Sequence, residues 1–187
     1  MILTRDQISK LAGPSDERLV KELEDWLIIR LILNGLTMKE LLELKPEDFS
    51  WADEGFSEAG VVWTGRRNVH VDHVTVKMLP IYLEAYGGEH GEPIFQITES
   101  GVKQMLLAYG EKMGLSESLT VTALRKTCLA RYVQEPDPQL GRLLTLQEIT
   151  VRMGYGRKDY TISRIRALGL SHPRFSTVQV NEDDVPT

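Results

Sequence analysis

The chain has 187 residues, 42% hydrophobic and 26% charged, which is enough apolar material for one packed domain and excludes wholesale disorder. Its 22 Lys and Arg against 27 Asp and Glu give a net charge of −5, excluding a histone-like coat of positive charge but leaving room for a local basic patch. The single cysteine, Cys128, excludes an internal disulfide and fits a reducing compartment. The segment Met1–Asp6 has no signal-peptide order, and the apolar run Trp26–Ile29, resuming at Leu31–Leu33, is too short and interrupted to span a bilayer. A soluble, cytoplasmic chain with no membrane association is therefore expected.

Helix signals dominate the first part of the chain. Thr4-Arg5-Asp6-Gln7 forms a capping box opening a short helix that ends near Gly13-Pro14. Ser15 caps a long helix through Asn34, whose Leu19, Leu23, Trp26, Leu27 and Ile29–Leu33 form a broad apolar face, and Gly35 stops it in a left-handed turn. Thr37-Met38-Lys39-Glu40 is a second capping box, opening a short helix through Leu44, and Pro46-Glu47-Asp48 is a turn.

The period then changes. Gly60–Thr64 and Asn68–Val71 are short β-rich runs joined by Gly65-Arg66-Arg67, the pattern of a hairpin. A helix follows from about Val74 to Tyr86, with Pro80 kinking it or marking its start. Residues 87–91 form a loop and Pro93–Gln96 a short extended segment. Helices are expected over Glu99–Met113, Thr122–Val133, a short stretch from the third capping box Thr145–Glu148 to Gly154, and Asp159–Leu168. This gives a mainly α fold with a small antiparallel β-sheet (α+β) over residues 1–170. Residues 171–187 lack an apolar period and are a C-terminal tail, ordered only if docked. Met105 and Met113 are core fillers, and His70 with His73 lacks the further ligands a metal site needs. Neither a metal nor a cofactor is expected.

Charge is distributed unevenly. Residues 120–170 hold nine Lys or Arg against four acids, a local +5, while the remainder holds 13 against 23. A basic region on an acidic protein is the footprint of a surface that meets phosphate, or alternatively of ordinary solvated helix faces.

The succession of a helical half, a hairpin and four further helices resembles the catalytic domain of the tyrosine recombinase (phage integrase) family, including its Xer-like members. Leu33–Leu41 is similar to the family's "tGLRisEL" turn and Thr64–Asn68 to its "GKgnK" hairpin. Leu119–Thr127 is similar to "lspHxLRHt", and Leu146–Ile149 with Met153-Gly154-Tyr155 to "iqelLGH". The similarity covers roughly residues 1–168, and no counterpart of the family's separate N-terminal clamp domain is expected in it.

The resemblance implies a chemistry of covalent strand exchange, in which a tyrosine attacks a DNA phosphodiester. Two arginines would hold the non-bridging oxygens, a hairpin lysine would protonate the leaving oxygen, and histidines would manage protons. Set on those motifs, the first arginine position is Thr37, the lysine position Arg66, the first histidine position Thr122, the second arginine Arg125, the second histidine position Tyr155 and the nucleophile position Arg164. A threonine supplies no cation, and arginine is a poor proton donor. Each lost oxyanion donor costs ~3 kcal/mol, and loss of the nucleophile removes the covalent route. No catalytic residue is therefore assigned. The sequence implies a degenerate, non-cleaving homologue that binds double-stranded DNA in a salt-sensitive way, as an accessory or regulator of recombination or integration of a mobile element. Its phosphate contacts would be Arg66, Arg67, Arg125, Lys126, Arg157, Lys158 and Arg164, and its tail would dock on a recombinase or a second copy. The alternatives are an active enzyme with a relocated tyrosine, Tyr160 or Tyr155, and a protein-interaction module that has abandoned DNA. Arg30 lies too far from Thr37 to replace the missing cation.

Overall fold

A computed structural model describes residues 2–4, 20–50, 59–86 and 90–172. The expected helix over 4–13, the Ser15 cap, the Gly87–Glu89 part of the loop and the tail beyond His172 lie outside the described residues.

Helix α1 (Val20–Leu33) is the centre of the larger core. Trp26, Leu27, Ile28, Ile29, Leu31 and Ile32 are all buried, so the helix is apolar on more than one face and is surrounded. Gly35, at φ 107°, ends it in the left-handed conformation. Helix α2 (Met38–Leu42) begins with the expected capping box: the Thr37 hydroxyl accepts from Glu40 N at 3.2 Å and Glu40 Oε2 accepts from Thr37 N at 2.8 Å. It stops two residues before the expected Leu44, and Pro46–Asp48 forms a single 3₁₀ turn.

The sheet has three strands in the order β1 (Phe49–Ser50), β2 (Ala59–Trp63), β3 (Asn68–Asp72), all antiparallel. β2 and β3 form the predicted hairpin in the register Val62 opposite Val69 and Trp63 opposite Asn68. β1 adds a third strand beside the expected hairpin, and at two residues it is too short to leave a period in the sequence. Val62, Val69 and Val71 point into the core.

Helix α3 (His73–Tyr86) follows β3 directly and carries Pro80 inside it. Its start is fixed by Asp72, whose Oδ1 accepts from Val74 N and Thr75 N, both at 3.1 Å. Pro93–Gln96 crosses the core without joining a strand: Ile94 N donates to Leu44 O at 2.8 Å, and Ile94 and Phe95 are buried.

Helices α4 (Glu99–Lys112), α5 (Val121–Gln134), α6 (Leu146–Arg152) and α7 (Lys158–Ala167) complete the described fold. Threonines cap α4, α5 and α6, and Gly114, Gly154 and Gly169 follow α4, α6 and α7 at φ between 64° and 69°. A second apolar cluster, built on Leu129, Val133, Ile149, Met153 and Ile165, joins α5, α6 and α7. The buried hydroxyls of Thr150 and Thr161 meet at 2.8 Å and fix α6 against α7. His172, in the segment expected as tail, is buried, its Nε2 donating to Leu144 O at 2.8 Å. Met105 and Met113 pack against the larger core. No helix among the described residues is long and apolar enough to cross a membrane.

Candidate functional site

Three chain reversals converge at one place: the Gly35 turn after α1, the N-terminus of α5 and the Gly154 turn after α6. Together with α7 they enclose a cleft of about 510 Å³. Five of the six positions singled out in the sequence, Thr37, Thr122, Arg125, Tyr155 and Arg164, line it. Lys126 and Tyr160 line it as well, while Arg66 lies on an adjoining depression that shares Thr37 and Tyr155 with the cleft.

Arg125 projects from the second turn of α5 and is half-buried. It donates to Gly35 O and, through Nη2 at 2.7 Å, to Met153 O. Both are carbonyls beyond helix C-termini, where the backbone dipoles favour a cation. Its guanidinium also lies 6.0 Å from the Tyr155 ring centre. Tyr155 meets Tyr160 edge-to-face at 5.1 Å, and Arg164 stacks on Tyr160 at 4.8 Å while its Nε donates to the Tyr160 hydroxyl at 2.7 Å. Cations and aromatic rings thus alternate around the wall. Burial pushes the Tyr155 hydroxyl above the ordinary tyrosine range, with Arg125 opposing but not reversing the shift.

The Thr37 hydroxyl accepts from Glu40 N in the α2 cap, and the first arginine position provides no charge. The Arg67 guanidinium, expected as a phosphate contact, also reaches this turn, donating to Gly35 O. Arg67 is turned inward with 9% of its side chain exposed. Nε and Nη2 donate in a fork to the two oxygens of Glu40, each at 2.8 Å. It donates further to Gly35 O at 2.9 Å and to Arg152 O. Burial would raise the Glu40 pKa, but the Arg67 hydrogen bond, the Thr37 backbone N–H and the Arg67 charge outweigh it, and the carboxyl falls to about 2. Arg67 is therefore an internal staple and not a surface contact. Arg66, its neighbour at the hairpin tip, is exposed.

The acids of residues 120–170 account for the fate of the other cations. Glu135 pairs with Arg131 at 3.6 Å, Glu148 with Arg142 at 2.7 Å, Asp137 with Arg152, and Asp159 with Arg157 at 2.8 Å. Arg157, expected to contact phosphate, is exposed, pairs with Asp159 at the surface and lies outside the cleft lining. The local surplus is carried by Arg125, Lys126, Lys158, Arg164 and Arg166. Three of these five line the cleft, and among the described residues no carboxylate lines it. Lys158 and Arg166 are exposed on α7.

Sequence reasoning missed Glu40 as the partner of Arg67, seeing it only as a capping residue. It also missed the network behind the cleft. There Asp72 receives Arg30 and the Asn34 amide at 2.7 Å, and Thr75 Oγ1 donates to it at 3.0 Å. Arg30, stacked on Trp26 at 5.3 Å, belongs to that network. Among the described residues no group of three His, Cys, Asp or Glu side chains is placed to hold a metal ion.

No family model and no curated protein sequence matches the chain. Solved structures do. The XerH site-specific recombinase bound to palindromic difH substrate in a post-cleavage complex superposes with a TM-score of 0.66 at 15% identity, covering 89% of this chain and 50% of that one. XerA recombinase gives 0.64 at 20% identity, covering 90% and 63%. The Tn1549 transposon integrase in complex with transposon right end DNA gives 0.59 at 14% identity, covering 94% and 63%. The chain thus spans between half and two-thirds of the length of these proteins. At such identities the likeness is one of fold, and the fold is that of tyrosine recombinase catalytic domains.

Proposed function

We propose that this chain is a non-cleaving DNA-binding protein of recombinase fold, an accessory or regulator in recombination or integration of a mobile element. The observation that carries the reading is the charge of the cleft: among the described residues Arg125, Lys126 and Arg164 line it and no carboxylate does, within an otherwise acidic protein. A concave, one-signed surface of this kind concentrates phosphate. Two of the structures that share its fold are complexes with DNA.

The non-cleaving part of the reading rests on what occupies the site. A capping hydroxyl, Thr37, stands where a cation would grip the phosphate, and Arg164 stands where the nucleophile would project. Tyr155 holds its proton more tightly than an ordinary tyrosine, the opposite of what an attacking phenolate needs.

The test is a duplex-binding titration across salt. Three phosphate contacts give a slope of log K against log salt of about −2.7, and engagement of Lys158 and Arg166 as well steepens it to about −4.5. Absence of binding to any duplex at low salt overturns the reading in favour of a protein-interaction module. A second reading, strand cleavage by Tyr160, is favoured by one contact, the Arg164 guanidinium on its hydroxyl. A nicked suicide substrate decides it: a covalent adduct that disappears in Tyr160→Phe establishes an active enzyme.

A further inference from the structure

Resting on the DNA-binding reading, we infer that the cleft receives a terminal nucleotide carrying a phosphate monoester, and not an internal phosphodiester of an intact strand. Charge is the first argument. An internal phosphodiester carries one negative charge, whereas a monoester carries between one and two at neutral pH. Among the described residues three cations and no acid line the cleft, so the monoester is matched better.

Donor supply is the second. Arg125 uses one N–H of each terminal nitrogen on the Gly35 and Met153 carbonyls and keeps the rest. Arg164 turns one edge to Tyr160 and keeps the other. Lys126 has no hydrogen-bond or ion-pair partner among the described residues, so its ammonium donors are available to the ligand. This set suits the three terminal oxygens of a monoester, and the two non-bridging oxygens of a diester would leave part of it unused.

Size and lining are the third. A cavity of about 510 Å³ lies within the range of roughly 300–1,000 Å³ typical of small-molecule sites, well beyond the needs of a phosphate group alone. Beside the cations stand the Tyr155–Tyr160 pair and the apolar Leu129 and Leu168. Tyr160 is 42% exposed and offers a ring to a base. A nucleotide within a duplex must leave two stacking neighbours to enter such a cleft, and one at a strand end only one.

The same chemistry is presented by a free nucleoside monophosphate, so the experiment separates the sources. Fluorescence anisotropy would compare blunt and nicked duplexes bearing a 5′-phosphate, a 3′-phosphate or hydroxyl ends, with thymidine monophosphate and inorganic phosphate as competitors. At least tenfold tighter binding to one phosphorylated end, abolished in Lys126→Gln and in the exposed Arg164→Gln, supports a strand end as ligand. Thymidine monophosphate binding without any duplex binding supports the monoester site and removes the DNA reading. Equal affinity for all duplexes, without competition by the nucleotide, overturns this inference and leaves the DNA reading standing. Failure of both duplex and nucleotide to bind overturns both. Circular dichroism of the two variants confirms that they are folded.

Discussion

Arg67 and Glu40 face each other as a two-pronged ion pair, with both nitrogen–oxygen distances at 2.8 Å and the side chains 9% and 12% exposed. The pair ties the β2–β3 hairpin to the N-terminus of α2. Thr64, at the end of the hairpin, adds a bond from its hydroxyl to the same carboxylate at 3.2 Å. Removing one partner strands the other as a buried charge. Arg67→Met is expected to cost roughly 3–5 kcal/mol, and the double variant Arg67→Met with Glu40→Leu less than Arg67→Met alone. Urea unfolding of the three proteins checks the ordering.

The same pair predicts an acid dependence. Glu40 is depressed from 4.5 to about 2 in the folded state, so its contribution is complete above the unfolded value. It is lost as pH falls from about 4.5 through 2. The shift corresponds to about 3 kcal/mol. Stability measured across that window is expected to fall less steeply in Glu40→Gln than in the parent.

Gly154 sits at φ +67° with Arg67 Nε only 2.7 Å from where a Cβ would lie. Gly154→Ala therefore strains the backbone and expels the guanidinium at once. A loss of roughly 2–4 kcal/mol is expected, combining left-handed strain with a disturbed ion pair. Faster amide exchange in the hairpin is the accompanying sign. A hairpin exchanging as slowly as in the parent would refute the link.

Arg125 spends donors on the Gly35 and Met153 carbonyls, and on the proposed DNA-binding reading the remaining ones face phosphate. Arg125→Ala leaves Met153 O without its guanidinium partner and removes one phosphate contact. It is expected to lower stability by about 1–3 kcal/mol and flatten the salt slope by about 1. Arg125→Lys keeps a charge but cannot span both carbonyls. It should retain more of the salt slope than of the stability.

Asp159→Asn would release Arg157 from its surface pair. If the DNA footprint extends along the start of α7, affinity at low salt rises several-fold and the slope steepens by about 1. Unchanged binding would confine the contact to the cleft.

What the sequence revealed was local. The Thr37–Glu40 and Thr145–Glu148 boxes and the stops at Gly35, Gly154 and Gly169 are written in residues a few positions apart, and each fixes an element end. The gathering of Thr37, Thr122, Arg125, Tyr155 and Arg164 was legible only through the order of motifs, because their contacts span the whole fold. The direction of Arg67 was not legible. Adjacent arginines at a hairpin tip look alike in a sequence, and only the arrival of Glu40 and the Gly154 turn from elsewhere draws one inward. β1 escaped because two residues carry no period, and Asp72 because a cap that also ends a strand shows no separate signal.

Gly35 O accepts from Arg67 and from Arg125 together. One peptide oxygen is thus a common mooring for the hairpin and for the helix that bears the central cation. A shift of the Gly35 turn would therefore disturb hairpin and helix together, and a ligand held at Arg125 would be felt at the hairpin through that single oxygen.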